Sequence, residues 1–327
     1  MDPQLTPLAL RKLRRSLLAW YDAKRRELPW RHDADPYRVW LSEIMLQQTR
    51  VAAVIDHYGR FLQKFPNVRT LAAAREASVL AAWSGLGYYH RARRMHQAAK
   101  VIARKRKGVF PRTAEEWRAL PGVGRYTAAA IASISFGEAI AVVDGNVERV
   151  VDRVFAAAQG REAAWQRAEL LLDHGRPGDF NQAMMELGAT LCTPRAPQCP
   201  ICPLRKWCAS RGARHAAPQP TRKRKHLAYG LACDNGSILL VKRPANASLM
   251  AGMWELPSVS NAHRNGDQPL ATLRHSITDT DYRVSVFTVP ARNFHRSNDN
   301  ARWFTRRQWE RLPLTGLARK ILRRLPA

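Results

Sequence analysis

Acidic residues are scarce in this 327-residue chain: 26 Asp and Glu face 54 Lys and Arg, for a net charge of +28. That deficit calls for a polyanionic partner, and neutralising phosphates is the commonest reason for it. A basic surface inherited from an arginine-rich genome is the bland alternative. No apolar run reaches the length needed to cross a bilayer, so no membrane partner is expected. No internal repeat or long low-complexity tract occurs. Cysteine is missing from the first 191 residues; four then crowd into 192–208, and Cys233 stands alone. A disulfide scaffold would spread its cysteines through a small secreted chain, so the pattern reads as intracellular. A monomer in the bacterial cytoplasm, associated with the nucleoid, is the expected setting.

What is present suffices for two domains, with 46% apolar residues to bury. Leu10, Leu13, Leu17, Leu18 and Tyr21 follow helical spacing, with Arg11, Lys12, Arg14 and Arg15 opposite. Such a start could belong to a transit peptide. It runs into Leu28-Pro29-Trp30-Arg31 without a spacer, and reads instead as the first helix of the fold. Helical periodicity continues to about residue 210, notably over 50–64, 89–103, 126–136, 146–158 and 179–191. Residues 211–225 are basic, polar and Pro-containing, and read as a linker. The period then changes. Segments 227–233, 237–243 and 282–289 read as strands, Asp234-Asn235-Gly236 as a hairpin turn, and 305–325 as helix. The expectation is an all-α unit over 1–210 and a smaller α+β domain over 226–327.

Cys192-x6-Cys199-x2-Cys202-x5-Cys208 is the most specific signal. A zinc site usually shows two close cysteine pairs, and only one is present. Four thiolates in one loop can instead wrap an iron–sulfur cube, leaving zinc as the alternative. Cys233 falls in an expected strand and reads as a core residue. Between a helix at 114–119 and another near Tyr126 lies Leu120-Pro121-Gly122-Val123-Gly124-Arg125. Its glycines permit a tight turn and close approach to a ligand, and the next helix start offers amides to a phosphate.

Two carboxylates stand out. Glu43 lies in an apolar helix one turn after Val39 and Trp40, where desolvation should keep it protonated near neutrality. A helix acid bonded to a nearby amide is the competing reading. Asp144 follows the apolar run Ala139 to Val143 and precedes a helix, which suits an N-cap whose charge the helix dipole favours. One neutral acid beside one carboxylate is the pair that glycosidic cleavage through an oxocarbenium-like state requires.

Trp40 to Thr49, Gly85-Leu86-Gly87-Tyr88-Tyr89, the hairpin with Arg125-Tyr126-Thr127-Ala128, Asp144-Gly145-Asn146-Val147, Asn181 to Gly188 and the cysteine loop occur in the order of a known family. Together the chain resembles the MutY-type adenine DNA glycosylases of the endonuclease III, helix-hairpin-helix superfamily, over about residues 20–210. The resemblance implies a helical glycosylase domain with a 4Fe–4S cluster on Cys192, Cys199, Cys202 and Cys208. It implies that Gly122, Val123, Gly124 and Arg125 grip the DNA backbone, with a monovalent cation at the hairpin carbonyls. The substrate would be duplex DNA with adenine opposite 8-oxoguanine or guanine, and the product an abasic site.

Glu43 would protonate adenine at N7, Asp144 would stabilise the sugar cation, Asn146 would orient Asp144, and Tyr126 would lie against both acids. Leu28, Trp30, Arg31 and Glu186 match positions lining the flipped-adenine pocket. Gln48, Thr49, Leu86 and Tyr88 match residues that wedge beside the opposing base. Strand-cleaving relatives carry a nucleophilic lysine where this chain has Tyr126, and a phenol cannot form the required Schiff base.

Leu249 to Pro257 resembles the family's Nudix-related C-terminal domain. A Nudix hydrolase also needs an R-E-x-x-E-E helix, which is absent, so this domain reads as a lesion reader without hydrolase activity. Its reading loop departs from the family pattern: Thr278 keeps a hydroxyl, but Asp279 stands where a neutral or cationic ring is usual. A related glycosylase for oxidised pyrimidines or mismatched thymine, and a non-catalytic iron–sulfur DNA-binding protein, are the rival readings.

Overall fold

Thr6 and Pro7 start the first helix: the Thr6 hydroxyl accepts from the Ala9 N–H at 3.3 Å, and proline fits the first helical position. This helix, α1 (Pro7–Lys24), buries Leu13, Leu17, Leu18 and Tyr21, while Leu10 is half-buried. The expected amphipathic start is therefore part of the fold's core. The computed structural model describes residues 6–156, 160–211, 222–244, 246–247, 249–259, 268–277, 279–290 and 300–324. The described helices continue with α2 (Pro36–Leu46), α3 (Val51–Lys64), α4 (Val68–Ala73), α5 (Glu76–Trp83) and α6 (His90–Lys105). There follow α7 (Ala114–Arg118), α8 (Arg125–Phe136), α9 (Gly145–Phe155), α10 (Arg161–Leu171) and α11 (Pro177–Thr190). The helical segments expected over 50–64, 89–103, 126–136 and 179–191 are matched within a few residues, and that over 146–158 is matched as far as the described residues go. Among described residues no helix is long and apolar enough to cross a membrane.

The chain divides into two compact units: Met1–Gly59 with Asn67–Arg69 and Gln97–Pro218, and Arg60–Pro66 with Thr70–His96 and Gln219–Ala327. In the first, α11 packs against α1, α8 and α9. Their apolar faces share one core that includes Leu17, Val143, Val147, Val151, Phe180 and Leu187. Two helix contacts are very close. A Cβ on Gly178 would stand 2.7 Å from the Ser133 carbonyl oxygen, and one on Gly188 would stand 2.6 Å from Asn146 Cβ.

In the second unit, β1 (Lys223–Leu231) pairs in parallel with β6 (Thr280–Thr288), which pairs antiparallel with β5 (Ala271–Ile277). A second sheet has β3 (Ser237–Lys242) beside β2 (Cys233–Asp234), β4 (Trp254–Glu255) and β7 (Ala301–Thr305). The expected turn joins β2 to β3 with Asn235 at φ 44° and Gly236 at φ 72°, both left-handed as a tight hairpin requires.

Three details differ from expectation. β1 begins at Lys223, so it takes in the end of the stretch read as linker, because Lys223–Lys225 pair with Thr280–Tyr282; residues 212–221 lie outside the described residues. The terminal helix is two, α12 (Arg306–Trp309) and α13 (Gly316–Leu322), separated around Pro313, which cannot supply a helical N–H. Cys233 is exposed rather than buried, since β2 is a two-residue edge strand beside the turn.

Candidate active site

Asp35 caps α2 by accepting the Arg38 N–H at 2.9 Å, and Pro36 opens the helix. Seven consecutive residues, Val39 to Met45, are then buried, and Trp40 packs against Trp117 at 5.7 Å. Glu43 sits in this run at 6% exposure. Burial pushes its carboxyl up to about 7; the Tyr126 hydrogen bond opposes this, the Asp144 charge adds to it, and Arg31 counters it. The Tyr126 hydroxyl donates to Glu43 Oε2 at 2.8 Å and stands 3.2 Å from Met185 Sδ. Burial and the charges of Glu43 and Asp144 raise the Tyr126 hydroxyl well above its ordinary value. The expected acid is thus desolvated, and its partner phenol keeps its proton.

Asp144 leaves the buried run Ala141 to Val143 in an extended conformation and caps α9. Its Oδ1 accepts from Asn146 N at 2.9 Å and Val147 N at 2.7 Å, and its Oδ2 from Asn146 Nδ2 at 3.0 Å. Three N–H groups at a helix start complement a negative carboxylate. Asn146 is itself oriented by Arg149, whose Nη2 donates to Asn146 Oδ1 at 2.8 Å and to the Gly188 carbonyl at 2.7 Å. Arg149 Nε donates to the Cys192 carbonyl at 2.8 Å. Upstream, Asn181 accepts the Val142 N–H at 3.1 Å and donates to Ser133 Oγ and the Ile140 carbonyl. The sequence reading did not assign Arg149 a role. Its position one turn after Asn146 was the available signal.

Of the residues expected at the base pocket, Arg31 meets Glu186, which is 1% exposed. Arg26 holds it through Nε at 2.6 Å and Nη2 at 2.8 Å, and Arg31 Nη2 adds a third bond at 2.9 Å. Burial pushes Glu186 up, but the two guanidiniums outweigh it and hold the carboxyl below its usual value. Leu28 and Trp30 are buried, with Trp30 edge-on to Tyr58 at 5.4 Å. Arg26 was also missed; its partner lies 160 residues away, beyond any local signal.

Gln48, at φ 55°, and Thr49, whose hydroxyl donates to the Gln47 carbonyl at 3.3 Å, follow α2 directly. Leu86 and Tyr88 belong to the other compact unit; Leu86 is buried and Tyr88 half-buried at φ 46°. Thr278 lies outside the described residues. In the hairpin, Gly122 takes φ 79°, which a Cβ would strain, and Val123 N donates to the Leu120 carbonyl at 3.2 Å. Gly124 starts α8 without any side-chain cap, leaving its first-turn amides to an outside acceptor. Exposed Arg125 stacks on Trp165 at 4.0 Å and pairs with Glu162 at 2.7 Å.

Cys192, Cys199, Cys202 and Cys208 are free thiols, all half-buried. Among described residues, no three metal-ligating side chains are close enough to hold a single ion. The four sulfurs nevertheless act on one another: burial pushes Cys202 up to about 11, and each of the other three would raise it further if charged. Burial also raises Cys208. Arg153 binds the loop from α9, donating to Cys192 Sγ at 3.2 Å and to the Thr193 and Pro194 carbonyls, while Cys208 Sγ donates to the Arg153 carbonyl at 3.3 Å. Cys202 and Cys208 therefore need a cationic group to become thiolates, and four cysteines in one loop, too spread for one ion, fit an iron–sulfur cube.

Residues 41–172 match the model of the HhH-GPD superfamily base excision DNA repair protein. The chain is 41% identical to an adenine DNA glycosylase of Rattus norvegicus, over 76% of this chain and 60% of the relative's own length. An adenine DNA glycosylase of Mus musculus is 36% identical over 95% of this chain and 77% of its own. Among solved structures, a thermostable thymine-DNA glycosylase is 31% identical with a TM-score of 0.57, covering 62% of this chain and 98% of that one. The relatives include eukaryotic proteins, so they lend no support to the expected bacterial setting. A relative spanned over more than three quarters of its length at this identity decides the membership, and the chain belongs to the adenine DNA glycosylase family of the HhH-GPD superfamily.

Proposed function

We propose that this protein is a monofunctional adenine DNA glycosylase, which hydrolyses the N-glycosidic bond of adenine opposite 8-oxoguanine or guanine in duplex DNA and leaves an abasic site. The observation that carries this reading is the pairing of an acid raised to about 7, Glu43, with Asp144 close enough for its charge to act on it. Neutral Glu43 gives its proton to adenine N7, so the base departs as neutral adenine when the C1′–N9 bond breaks. Asp144, held by Asn146 and Val147, stabilises the oxocarbenium charge left on the sugar. Ionised Glu43 then takes a proton from the attacking water, which restores the acid. Tyr126 donates to Glu43 and fixes it between these steps. Tyr126 offers no amine, so strand scission through a Schiff base has no nucleophile at that position.

Around this centre, Leu28, Trp30, Arg31 and Glu186 would receive the flipped adenine. Gln48, Thr49, Leu86 and Tyr88 would wedge into the stack beside the opposing base. Gly122 to Arg125 would hold a backbone phosphate, with hairpin carbonyls binding a monovalent cation. Cys192, Cys199, Cys202 and Cys208 would hold a 4Fe–4S cluster, which cross-links the loop that α9 anchors. Residues 226–327 would form a Nudix-like lesion reader that contacts 8-oxoguanine or its neighbouring backbone through the 274–279 segment, with Thr278 as one available hydroxyl.

The deciding experiment incubates the chain with duplexes placing adenine against 8-oxoguanine, guanine, cytosine and thymine, and measures free base and strand breaks before and after alkali. Adenine release with breaks only after alkali supports the proposal. Release of thymine or an oxidised pyrimidine, or a protein–DNA adduct trapped by borohydride, overturns it.

A further inference from the structure

A tyrosine meant to enter a base stack must be presented in advance, because ordering a loop during binding weakens binding. Tyr88 takes φ 46°, a left-handed backbone that a bulky residue holds only when its surroundings impose it. Part of the support is local. Arg91, 5% exposed, donates through Nη2 to the Leu86 carbonyl at 3.1 Å and the Gly87 carbonyl at 3.3 Å, and its guanidinium lies 5.3 Å from the Tyr88 ring.

The rest comes from more than two hundred residues later in the same compact unit. Ser84 and Tyr89, which flank the Gly85–Tyr88 loop, both donate to the Leu314 carbonyl, at 2.9 and 3.1 Å. Arg319, on α13, donates through Nε to Ser84 Oγ at 2.8 Å. The Leu314 carbonyl is a rigid acceptor. Trp254 of β4 donates its N–H to Pro313 at 3.0 Å and accepts that of Thr315 at 2.9 Å, so Leu314 is clamped between two bonds to the second sheet. Ser84, Tyr89 and Leu314 are 7%, 3% and 0% exposed, so water does not compete for these bonds.

We propose that the Pro313–Arg319 segment is a latch that holds the Gly85–Tyr88 loop in its insertion-ready form, making Ser84, Tyr89 and Arg319 positioning residues for the Tyr88 wedge. The proposal rests on the reading of Tyr88 as a wedge. It gives the C-terminal region a second task besides reading the lesion: setting how readily the helical part opens the duplex. The latch and the acid are separate devices. Loosening it slows insertion and leaves the ionisation of Glu43 unchanged.

The test uses the full chain and an adenine·8-oxoguanine duplex with 2-aminopurine beside the mispair, whose fluorescence rises when the stack is opened. Ser84→Ala, Tyr89→Phe and Arg319→Met should each reduce the rise and the single-turnover rate by about threefold to tenfold, the effect of a lost hydrogen bond. Arg319→Lys should recover part of the signal, and the pH profile of every latch variant should match wild type. Tyr88→Ala is the control. If it keeps the fluorescence rise, the wedge reading is wrong and the latch falls with it. If Tyr88→Ala loses the rise while the three latch variants keep it, the latch alone is wrong. Should Arg319→Met fail to fold, Tyr89→Phe, which removes a single oxygen, decides the matter.

Discussion

Glu43 can deliver a proton at neutral pH because its helix withholds the solvent that would stabilise its charge, and this has two separable consequences. The rate of adenine release at saturating enzyme should stay level below pH 7 and fall above it, as the acid ionises through about 7. Glu43→Gln should remove that limb and lower the rate by roughly 10²–10⁴-fold while duplex affinity holds. The substitution should move stability the other way. The folded value, about 7, lies above the ordinary 4.5, so protonated Glu43 stabilises fully below about pH 4.5, and this is lost as pH rises through 7. At pH 8 the wild type therefore buries an ionised carboxylate, and the amide should be more stable by on the order of a few kcal/mol. Thermal melts at pH 5 and pH 8 check the sign; equal melting points at pH 8 would place Glu43 in a wetter site than argued. The raised acid was legible from Val39 and Trp40, since burial of a helix is local information. Arg26 was not, because the carboxylate it holds is brought to it by a helix 160 residues away, and Arg149 showed only its spacing from Asn146.

At the scale of elements, α9 ties the chemistry to the cysteine loop: Asp144 caps its start, Arg149 reaches the Cys192 carbonyl, and Arg153 binds the loop near its end. Gly188 lets α11 come within contact of Asn146 there. Gly188→Ala should therefore force the two helices apart at Asn146, with an overpacking cost of roughly 1–3 kcal/mol. Because Asn146 and Asp144 move together, a displacement near 1 Å should slow adenine release by about 10²-fold. Circular dichroism should meanwhile show unchanged helix content, and a full rate in this variant would detach the α9–α11 contact from catalysis. The loop carries its own expectation: purified chain should be brown, with about four irons when all four cysteines hold one cube. Stoichiometric zinc without visible absorbance would overturn the cluster. Helix spans were readable because 3.6-residue periodicity is a local property, as α3 and α11 demonstrate. The fate of Cys233 was not, since strand alternation says which residues share a face but not that β2 is an edge only two residues long.

At the scale of the whole molecule, the sequence divides where its periodicity changes, yet residues 70–96 join one compact unit with the C-terminal strands. Periodicity could not reveal this, because the bonds of Ser84 and Tyr89 to Leu314 join residues more than two hundred positions apart. Charge, by contrast, is additive and was legible at once. A net +28 acts on every duplex alike, whereas in the proposed mechanism Glu43, Asp144 and the hairpin amides would act on one bound geometry. Salt should therefore separate the two contributions. Each phosphate neutralised adds about −0.9 to the slope of log affinity against log salt, so six to ten contacts should cost roughly 10³–10⁵ in affinity between 50 and 200 mM salt. The single-turnover rate at saturating protein should change far less, because it begins from bound DNA and its acid lies in a desolvated site that ions screen weakly. Filter binding and quench-flow on one duplex over the same salt series would measure both. A rate that fell in parallel with affinity would mean that surface charge helps to assemble the active site and does more than hold the duplex.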